Sequence, residues 1–249
     1  YAEKRVITLR APALGVPMVV SARVTEPSGA AHTATETVTP GALDLIVESS
    51  TRVPSFYRGR ALPSAGSAVR LIALASLYTD KGMLVDPKNV IYAWQINGQG
   101  SEGGPGQHTL DAIMPLGGPL TVEVTARTQD GSAQQSIAEE IAPADPLNRF
   151  YEDNPLHGLA QNALPDTFTL IEDEISIRAE PYFVSRNIFN NAAYEWTINE
   201  ERVANPNTDP QTLTLRKTGG AGSAQVGFSI RNLSSLLQAA ASAFIVYFE

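Results

Sequence analysis

Tyr92-Ala93-Trp94-Gln95-Ile96-Asn97 is the stretch that decides the fold, because the same pattern returns as Tyr194-Glu195-Trp196-Thr197-Ile198-Asn199. The two copies lie 102 residues apart and contain the only two tryptophans among the 249 residues. Self-similarity at a fixed period is the signature of a repeated structural unit. A period near 100 residues is a common length for a β-sandwich, so the chain is predicted to be an array of such modules.

Each tryptophan segment is followed by a stretch in which apolar and polar residues alternate, a period of two that indicates a half-buried β-strand. These stretches are Leu120–Thr128 and Gln225–Asn232. A third copy, Met18–Thr25, lies upstream. One arginine marks each copy at a constant spacing of 104 residues: Arg23, Arg127 and Arg231. The chain therefore has three copies of this strand but only two of the tryptophan strand.

Short apolar runs separated by turn residues predict six or seven antiparallel strands in each complete module, which is a two-layer sandwich. In module 43–143 we expect strands at Leu43–Glu48, Ala68–Leu77, Val90–Asn97, Gln107–Ile113, Leu120–Thr128 and Ala133–Ile141. In module 144–249 we expect Phe168–Glu172, Ile175–Glu180, Ala192–Ile198, Gln211–Arg216, Gln225–Asn232 and Ala239–Phe248, the first two joined by an acidic turn. Pro143 and Pro146 predict a short stiff linker and an elongated molecule.

Residues 1–42 match only the last three strands of a module, with Val6–Arg10, Met18–Thr25 and Thr33–Thr39 in the corresponding roles. Half a sandwich leaves its inner apolar face open to water and demands a partner. Two explanations stay open. Either the chain is a piece of a longer protein, or a neighbouring subunit completes the half-module in trans by adding strands.

Composition excludes several classes of function. With 43% apolar residues, 19 glycines and 17 prolines, a folded all-β protein is expected. A formal net charge of −8 argues against nucleic-acid binding. Because the chain has no cysteine, disulfides, cysteine-ligated zinc and a thiol nucleophile are excluded.

The two ends of the sequence support two further expectations. The sequence begins at Tyr1 without a methionine, which indicates a processed or truncated product. Its most apolar segment, 236–248, is shorter than the roughly 20 residues needed to span a bilayer, so no membrane insertion is expected within this segment.

The tryptophan strand with Gly98, the strand Leu120–Arg127 and the Asp130-Gly131 turn resemble the bacterial immunoglobulin-like (Ig-like) and PKD-like β-sandwich modules of surface proteins. The sequence departs from the PKD-like pattern after the tryptophan strand, where Asn97-Gly98-Gln99-Gly100 replaces a Gly-Asp-Gly stretch. It departs from antibody-type domains because it has no paired cysteines. The resemblance implies an extracellular or cell-surface module used for spacing, adhesion or assembly.

Several residues that could form binding sites fit ordinary structural roles better. Each tryptophan shares a strand face with a tyrosine and an isoleucine, which favours core packing over sugar stacking. Aliphatic residues such as Leu71 and Val124 are expected to face Trp94. His32, His108 and His157 have no partner at metal-ligand spacing and are interpreted as surface or turn residues.

Two acidic clusters, Tyr151–Asn154 and Glu172–Glu174, suit either solvated turns or a calcium ion, and the junction near Glu152 and Asp153 is the better candidate. The three strand arginines are expected to point outward and pair with cross-strand carboxylates. Glycines at 100, 103, 104 and 106, and the run Gly219–Gly222, are interpreted as flexible turns rather than phosphate loops.

The predicted class is therefore all-β: tandem Ig-like antiparallel β-sandwiches, two complete modules (43–143 and 144–249) plus an N-terminal half-module (1–42). The predicted function is a non-catalytic structural or adhesive array at the bacterial cell surface or secreted, without catalytic, cofactor or metal residues. The expected partners are proteins or polysaccharides at the cell surface, with self-assembly through the half-module. Two alternatives stay open: an accessory polymer-binding segment of a secreted glycan- or protein-degrading enzyme, or a subunit of a surface layer or filament.

Overall fold

A computed structural model of the chain describes residues 8–205, 207–233 and 235–248. Within these residues nearly all regular structure is β-strand, apart from 3₁₀ turns at Pro87–Asn89 and Arg186–Asn191. The strands are β1 Met18–Thr25, β2 Ala31–Val38, β3 Ala42–Ser49, β4 Ala68–Ser76, β5 Ile91–Ile96, β6 Gln99–Gly100, β7 Gly104–Pro105, β8 Thr109–Ile113, β9 Leu120–Arg127, β10 Gln134–Ile141, β11 Leu147–Asn154, β12 Gly158–Leu159, β13 Thr167–Leu170, β14 Glu174–Tyr182, β15 Ala192–Ile198, β16 Glu201–Val203, β17 Thr212–Arg216, β18 Gly222–Asn232 and β19 Ser235–Phe248. Every strand predicted for the two complete modules is present, with ends that differ by up to four residues.

Two sheets form the sandwich around Trp196. One has the strand order β12-β11-β14-β17 and the other β13-β19-β18-β15-β16. Their inner faces share one hydrophobic core, in which Trp196 packs against Phe228 and Phe150 packs against Phe244, each with ring centroids 4.7 Å apart. Trp196 is 2% exposed, and its indole nitrogen donates to the carbonyl of Pro210 at 2.9 Å. The tryptophan is thus a core residue, as its position in the strand predicted.

The same arrangement surrounds Trp94. Its strand, β5, lies in the sheet β10-β9-β5-β6, which β7 joins by pairing with β5, and β3-β4-β8 form a separate sheet. Trp94 is 2% exposed and stands opposite Val124 on β9, while Leu71 is fully buried. Its indole nitrogen donates to the carbonyl of Gln107 at 3.1 Å, as Trp196 does to Pro210. Both tryptophan strands therefore occupy equivalent places, and the all-β sandwich class is confirmed.

The asparagine that closes each motif holds the strand end in place. Asn97 and Asn199 both adopt a left-handed backbone with φ of 51°. The side-chain oxygen of Asn97 accepts from the backbone nitrogen of Thr121 at 3.0 Å, and that of Asn199 accepts from Gln225 at 2.9 Å. A short polar side chain is tolerated in this conformation because it can form such local bonds. The sixth residue of the motif therefore fixes the tryptophan strand to the next strand in its sheet.

One strand pairing differs from the prediction. β13 and β14 were expected to be joined as a hairpin by Glu172–Glu174, but β13 pairs in parallel with β19 and β14 lies in the other sheet. The acidic segment is therefore a crossing between sheets rather than a hairpin tip. The other strand pairs in the sandwich around Trp196 are antiparallel. The prediction failed because the alternation of a short strand indicates which face is buried but not which strand lies next to it.

The N-terminal segment forms a two-stranded sheet in which β1 pairs with β2. All eight residues of β2 are exposed, and Val19 and Val24 of β1 are 64% and 65% exposed. Met18 and Val20 are half-buried. Of the expected strand Val6–Arg10, residues 8–10 are not strand, and positions 6 and 7 lie outside the described residues.

The chain divides into two compact units whose bounds cut across the sequence repeat. The first contains the described residues up to Val47 with Leu71–Leu110 and Leu120–Ile141; the second contains Glu48–Arg70, Asp111–Pro119 and the described residues from Ala142 onward. The loop between β3 and β4 thus belongs to the second unit. The module bounds 1–42, 43–143 and 144–249 stay predictions.

Candidate functional site

A cleft of about 640 Å³ in the second unit gathers aromatic, cationic and amide side chains. We call it the aromatic cleft; it is lined by Phe56, Tyr57, Arg58, Gly59, Leu147, Arg149, Tyr151, Gln161, Asn162, Ala163, Tyr182 and Phe183. Strand β11 supplies Leu147, Arg149 and Tyr151, which alternate along the strand and therefore share one sheet face. The loop between β3 and β4 supplies the wall opposite this face.

The floor of the cleft is a cluster of aromatic rings. Tyr151 and Tyr182 are buried and share a hydrogen bond of 2.5 Å between their hydroxyls. Phe56 meets Tyr151 edge to face at 5.1 Å, and Tyr57 meets Tyr182 in the same way at 5.3 Å. Burial, together with the hydrogen bond to Tyr151, raises the pKa of the Tyr182 hydroxyl. The Tyr182 hydroxyl therefore stays neutral across the physiological range.

The loop carrying Tyr57 has a defined shape. The backbone nitrogen of Tyr57 donates to the carbonyl of Pro54 at 3.0 Å, which closes a tight turn. Gly59 follows, and a β-carbon there would overlap the phenol ring of Tyr57. Glycine is therefore required for the ring to fold back over the loop. Tyr57 remains 37% exposed, so part of its ring faces solvent.

Backbone pairing fixes the same loop to the end of β14. Arg52 donates its backbone nitrogen to Val184 and accepts at its carbonyl from Phe183, both at 2.7 Å. Thr51 forms an isolated antiparallel bridge with Ser185. The loop is thus tied to residues 183–185 by an isolated β-bridge and two further backbone hydrogen bonds.

A buried ion-pair network reinforces this attachment. Glu180 is 3% exposed, and its two oxygens accept from Arg52 at 2.9 Å and from Arg178 at 2.7 Å. Arg178 also donates to Asp209 at 2.5 Å. Burial works to lower the pKa of Arg178, but the hydrogen bond to Glu180 and the charge of Asp209 outweigh it and raise the pKa. Arg52 stacks over the ring of Phe189 at 4.7 Å.

A buried glutamine closes the far end of the loop. Gln238 is 4% exposed; its side-chain oxygen accepts from the backbone of Ser185 at 2.9 Å, and its nitrogen donates to the carbonyl of Ala65 at 2.5 Å. Thr51 donates its hydroxyl to the carbonyl of Leu62 at 2.6 Å. Both ends of the loop are therefore bound by satisfied polar groups.

The three histidines lie on the surface. The ring of His32 contacts the carboxylate of Glu26 at 3.0 Å, and that of His108 contacts the carbonyl of Gly106 at 3.0 Å. His157 is exposed in the turn after Asn154, whose side-chain oxygen accepts from its backbone nitrogen. The structure brings none of them together.

The two acidic clusters, in contrast, meet. Glu152, Asp153, Glu172 and Glu174 line one cleft of about 370 Å³. Glu174 pairs with Arg216 at 2.7 Å, and Asn154 donates to Glu152. Among the described residues, no three acidic or histidine side chains approach closely enough to hold a metal ion. The calcium hypothesis near Glu152 and Asp153 gains no support from this geometry.

The arginine prediction is half right. Arg23, Arg127 and Arg231 are exposed, as expected of outward strand positions. No carboxylate stands opposite them: Arg23 faces Thr33, Arg127 faces Ile91 and Gln134, and Arg231 faces Ala193 and Ala239. The predicted cross-strand ion pairs are therefore wrong.

The glycine-rich stretch after the Trp94 strand is paired structure, since β6 and β7 both bond to β5. A β-carbon at Gly103 would overlap the carbonyl of Tyr92. This glycine serves close backbone approach rather than phosphate binding. In the run Gly219–Gly222, residues 219 and 220 form a bend and Gly222 begins β18.

Sequence reasoning missed the aromatic cleft and the residues that fix it. The available signals were two adjacent aromatic pairs, Phe56-Tyr57 in a loop and Tyr182-Phe183 at a strand end. Their approach depends on chain segments about 125 residues apart, which no local pattern reveals.

Taken together, the strand orders, the parallel β13–β19 pair and the buried tryptophans on β5 and β15 are those of the Ig-like β-sandwich fold. A comparison with protein-family models finds no match, and a comparison with curated proteins finds none either. Among the described residues, no helix is long and apolar enough to cross a membrane.

Three solved structures illustrate what the chain resembles. The three N-terminal domains of the bacteriophage RB49 Highly Immunogenic Outer Capsid protein (Hoc) are 15% identical, with a TM-score of 0.38, covering 83% of this chain and 59% of that one. The fibronectin(III)-like modules of Clostridium thermocellum CbhA are 10% identical, with a TM-score of 0.26, covering 82% and 93%. The Bacteroides ovatus glucan-utilization protein SGBP-B, solved with a mixed-linkage heptasaccharide, is 15% identical, with a TM-score of 0.23, covering 97% and 54%.

Proposed function

We propose that the chain is a non-catalytic array of Ig-like modules, secreted by a bacterium or displayed on its surface, that spaces, presents or assembles parts of a larger system. The attachment of the β3–β4 loop to the second unit supports this proposal best. Bonds to backbone, ion pairs and aromatic packing all hold this loop. Such multiple fixation suits a part that must keep its shape under load or during contact.

The same loop provides a contact surface, because it forms one wall of the aromatic cleft. Binding residues commonly sit on loops that a rigid scaffold positions. The partners proposed are proteins or polysaccharides at the cell surface. Self-assembly through the N-terminal half-module is supported by Val24 of β1, which is 65% exposed on the strand face that it shares with the half-buried Met18 and Val20.

A second candidate function is an accessory polymer-binding segment of a secreted degrading enzyme. The aromatic cleft favours it, since an exposed ring beside amides and guanidinium groups is suited to polymer recognition. A subunit of a surface layer or filament is a further form of the array hypothesis.

The location and role can be tested on intact cells of the source organism. Antibodies against residues 48–248 are expected to label unpermeabilised cells or the culture medium, and deletion of the gene is expected to reduce adhesion. Labelling that requires permeabilisation would contradict the proposal. Unchanged adhesion combined with slower degradation of an external polymer would favour the accessory role instead.

A further inference from the structure

We propose that the aromatic cleft binds an acidic polysaccharide, one whose sugar units carry carboxylates. This inference rests on the proposed surface function and specifies the ligand class of its contact surface. Three properties of the cleft lead to it: its charge, its mixture of rings and amides, and its position on a sheet face.

The charge of the cleft is opposite to that of the whole chain. Among the described residues that line it, the only charged ones are Arg58 and Arg149, although the chain carries a net charge of −8. Arg58 is exposed. Arg149 has one ion-pair partner, the 88% exposed Asp166, at 3.6 Å. Exposed pairs of this kind contribute little, so a ligand carboxylate can replace Asp166.

The uncharged groups suit a sugar. Gln161 and Asn162 are exposed, and their side-chain amides form no hydrogen bond with the described residues. Each amide offers both donors and an acceptor to hydroxyl groups. Beside them, the part of the Tyr57 ring that faces solvent presents an apolar surface. Because Tyr182 and Phe183 hold that ring, little side-chain freedom remains to be lost on binding.

The position of the cleft favours a polysaccharide over a peptide. One recurrent way to bind an extended peptide is to add it as a strand to a free sheet edge. The edge of β11 beside the cleft is already used: the carbonyl of Phe150 accepts from Leu164 at 2.7 Å, and that of Glu152 accepts from Ala160 at 2.8 Å. Recognition in the cleft must therefore come from side chains, which suits hydroxyls and carboxylates.

The ligand class can be tested by affinity electrophoresis and titration calorimetry of the full chain. Polygalacturonate and alginate are expected to retard the protein, whereas neutral dextran is not. The double variant R58Q/R149Q is expected to weaken the binding of polygalacturonate at least tenfold. R231Q is the matched control, because Arg231 is also an exposed arginine of the same unit and lies outside the cleft.

Three results would overturn the assignment. The first is equal retardation by dextran. The second is equal affinity for poly-L-glutamate, which would indicate binding by charge alone or binding of an acidic peptide. The third is equal weakening of binding by R231Q and by R58Q/R149Q. Circular dichroism of each variant checks that these exposed substitutions leave the fold intact. Surface labelling of cells is independent of this experiment, so a failed ligand assignment and a failed surface function are distinguishable.

Discussion

The asparagine that ends each tryptophan motif does more than terminate a strand. Asn97 has a left-handed backbone, its nitrogen donates to Thr121 at 2.9 Å, and its side chain accepts from the nitrogen of the same residue. One residue therefore makes two bonds to the start of β9. These bonds set the register that places Val124 opposite Trp94.

Two substitutions at position 97 separate the side chain from the backbone. N97G keeps the left-handed conformation but loses one hydrogen bond, for an expected loss of about 1 kcal/mol. N97A also incurs the left-handed strain of roughly 1–2 kcal/mol, so it is expected to be clearly less stable. Chemical denaturation of the first unit measures both, with Q95A on the exposed face of β5 as control. Equal stability of N97G and N97A would contradict the role of backbone conformation.

At this scale the sequence was informative where neighbours are local. The burial of Trp94 and Trp196 followed from the alternation of their own strands, since period two assigns each residue to a face. The partners of Tyr57 and Tyr182 did not follow, because those rings meet only after the β3–β4 loop folds against the end of β14. The polarity pattern of one strand predicts which of its residues are buried, whereas a tertiary contact depends on how distant segments of the chain fold together.

At the scale of the elements, the β3–β4 loop and β14 behave as one structure. Glu180 is buried with a negative charge that Arg52 and Arg178 compensate. Removing one partner of a buried ion pair is far more costly than removing the pair, because it leaves a charge without compensation.

R52M removes one of the two arginines that pair with Glu180 and leaves Arg178, so it is expected to destabilise the second unit by about 2 kcal/mol, and R52M/E180Q by less than the sum of the single changes. Urea unfolding of the second unit measures this coupling. R216M is the control, since the exposed pair of Arg216 with Glu174 is expected to contribute less than about 1 kcal/mol. If R52M and R216M were equally mild, the network would not hold the loop.

The error at β13 also belongs to this scale. Its sequence predicted a strand at Phe168–Glu172, and a strand is present at Thr167–Leu170. The pattern could not tell whether the next strand pairs with it or crosses to the opposite sheet, because both arrangements bury the same face. Resemblance between repeats gave no help, since the described residues of the other module have no strand at that place.

At the scale of the whole molecule, buried and half-buried tyrosines are expected to make the stability of both units depend on pH. Burial raises the pKa of Tyr92 in the first unit and of Tyr182 and Tyr194 in the second. Because the folded protein holds these protons more tightly than the unfolded chain, stability is fully present below the unfolded pKa of about 10 and falls as pH rises above it.

The free energy of unfolding of both units is accordingly expected to decline from pH 8 to pH 11, by at most about 1.4 kcal/mol per pH unit for each tyrosine. Denaturation at each pH measures this decline. Y182F removes one titrating hydroxyl, so its second unit is expected to decline less steeply while its first unit is unaffected. Absorbance of tyrosinate near 295 nm follows the ionisation directly. A decline of the same slope in Y182F and the parent protein would refute this assignment.

The position of Arg52 has a consequence for how the repeats can be exchanged by recombination. By sequence it belongs to repeat 43–143, yet it completes the charge balance of Glu180 in repeat 144–249. A recombination event that exchanged, deleted or duplicated one repeat at its sequence boundary would part these two residues. Positions 52 and 180 are therefore expected to change together, and the segment expected to be exchangeable as a unit is shifted from the segment that repeats.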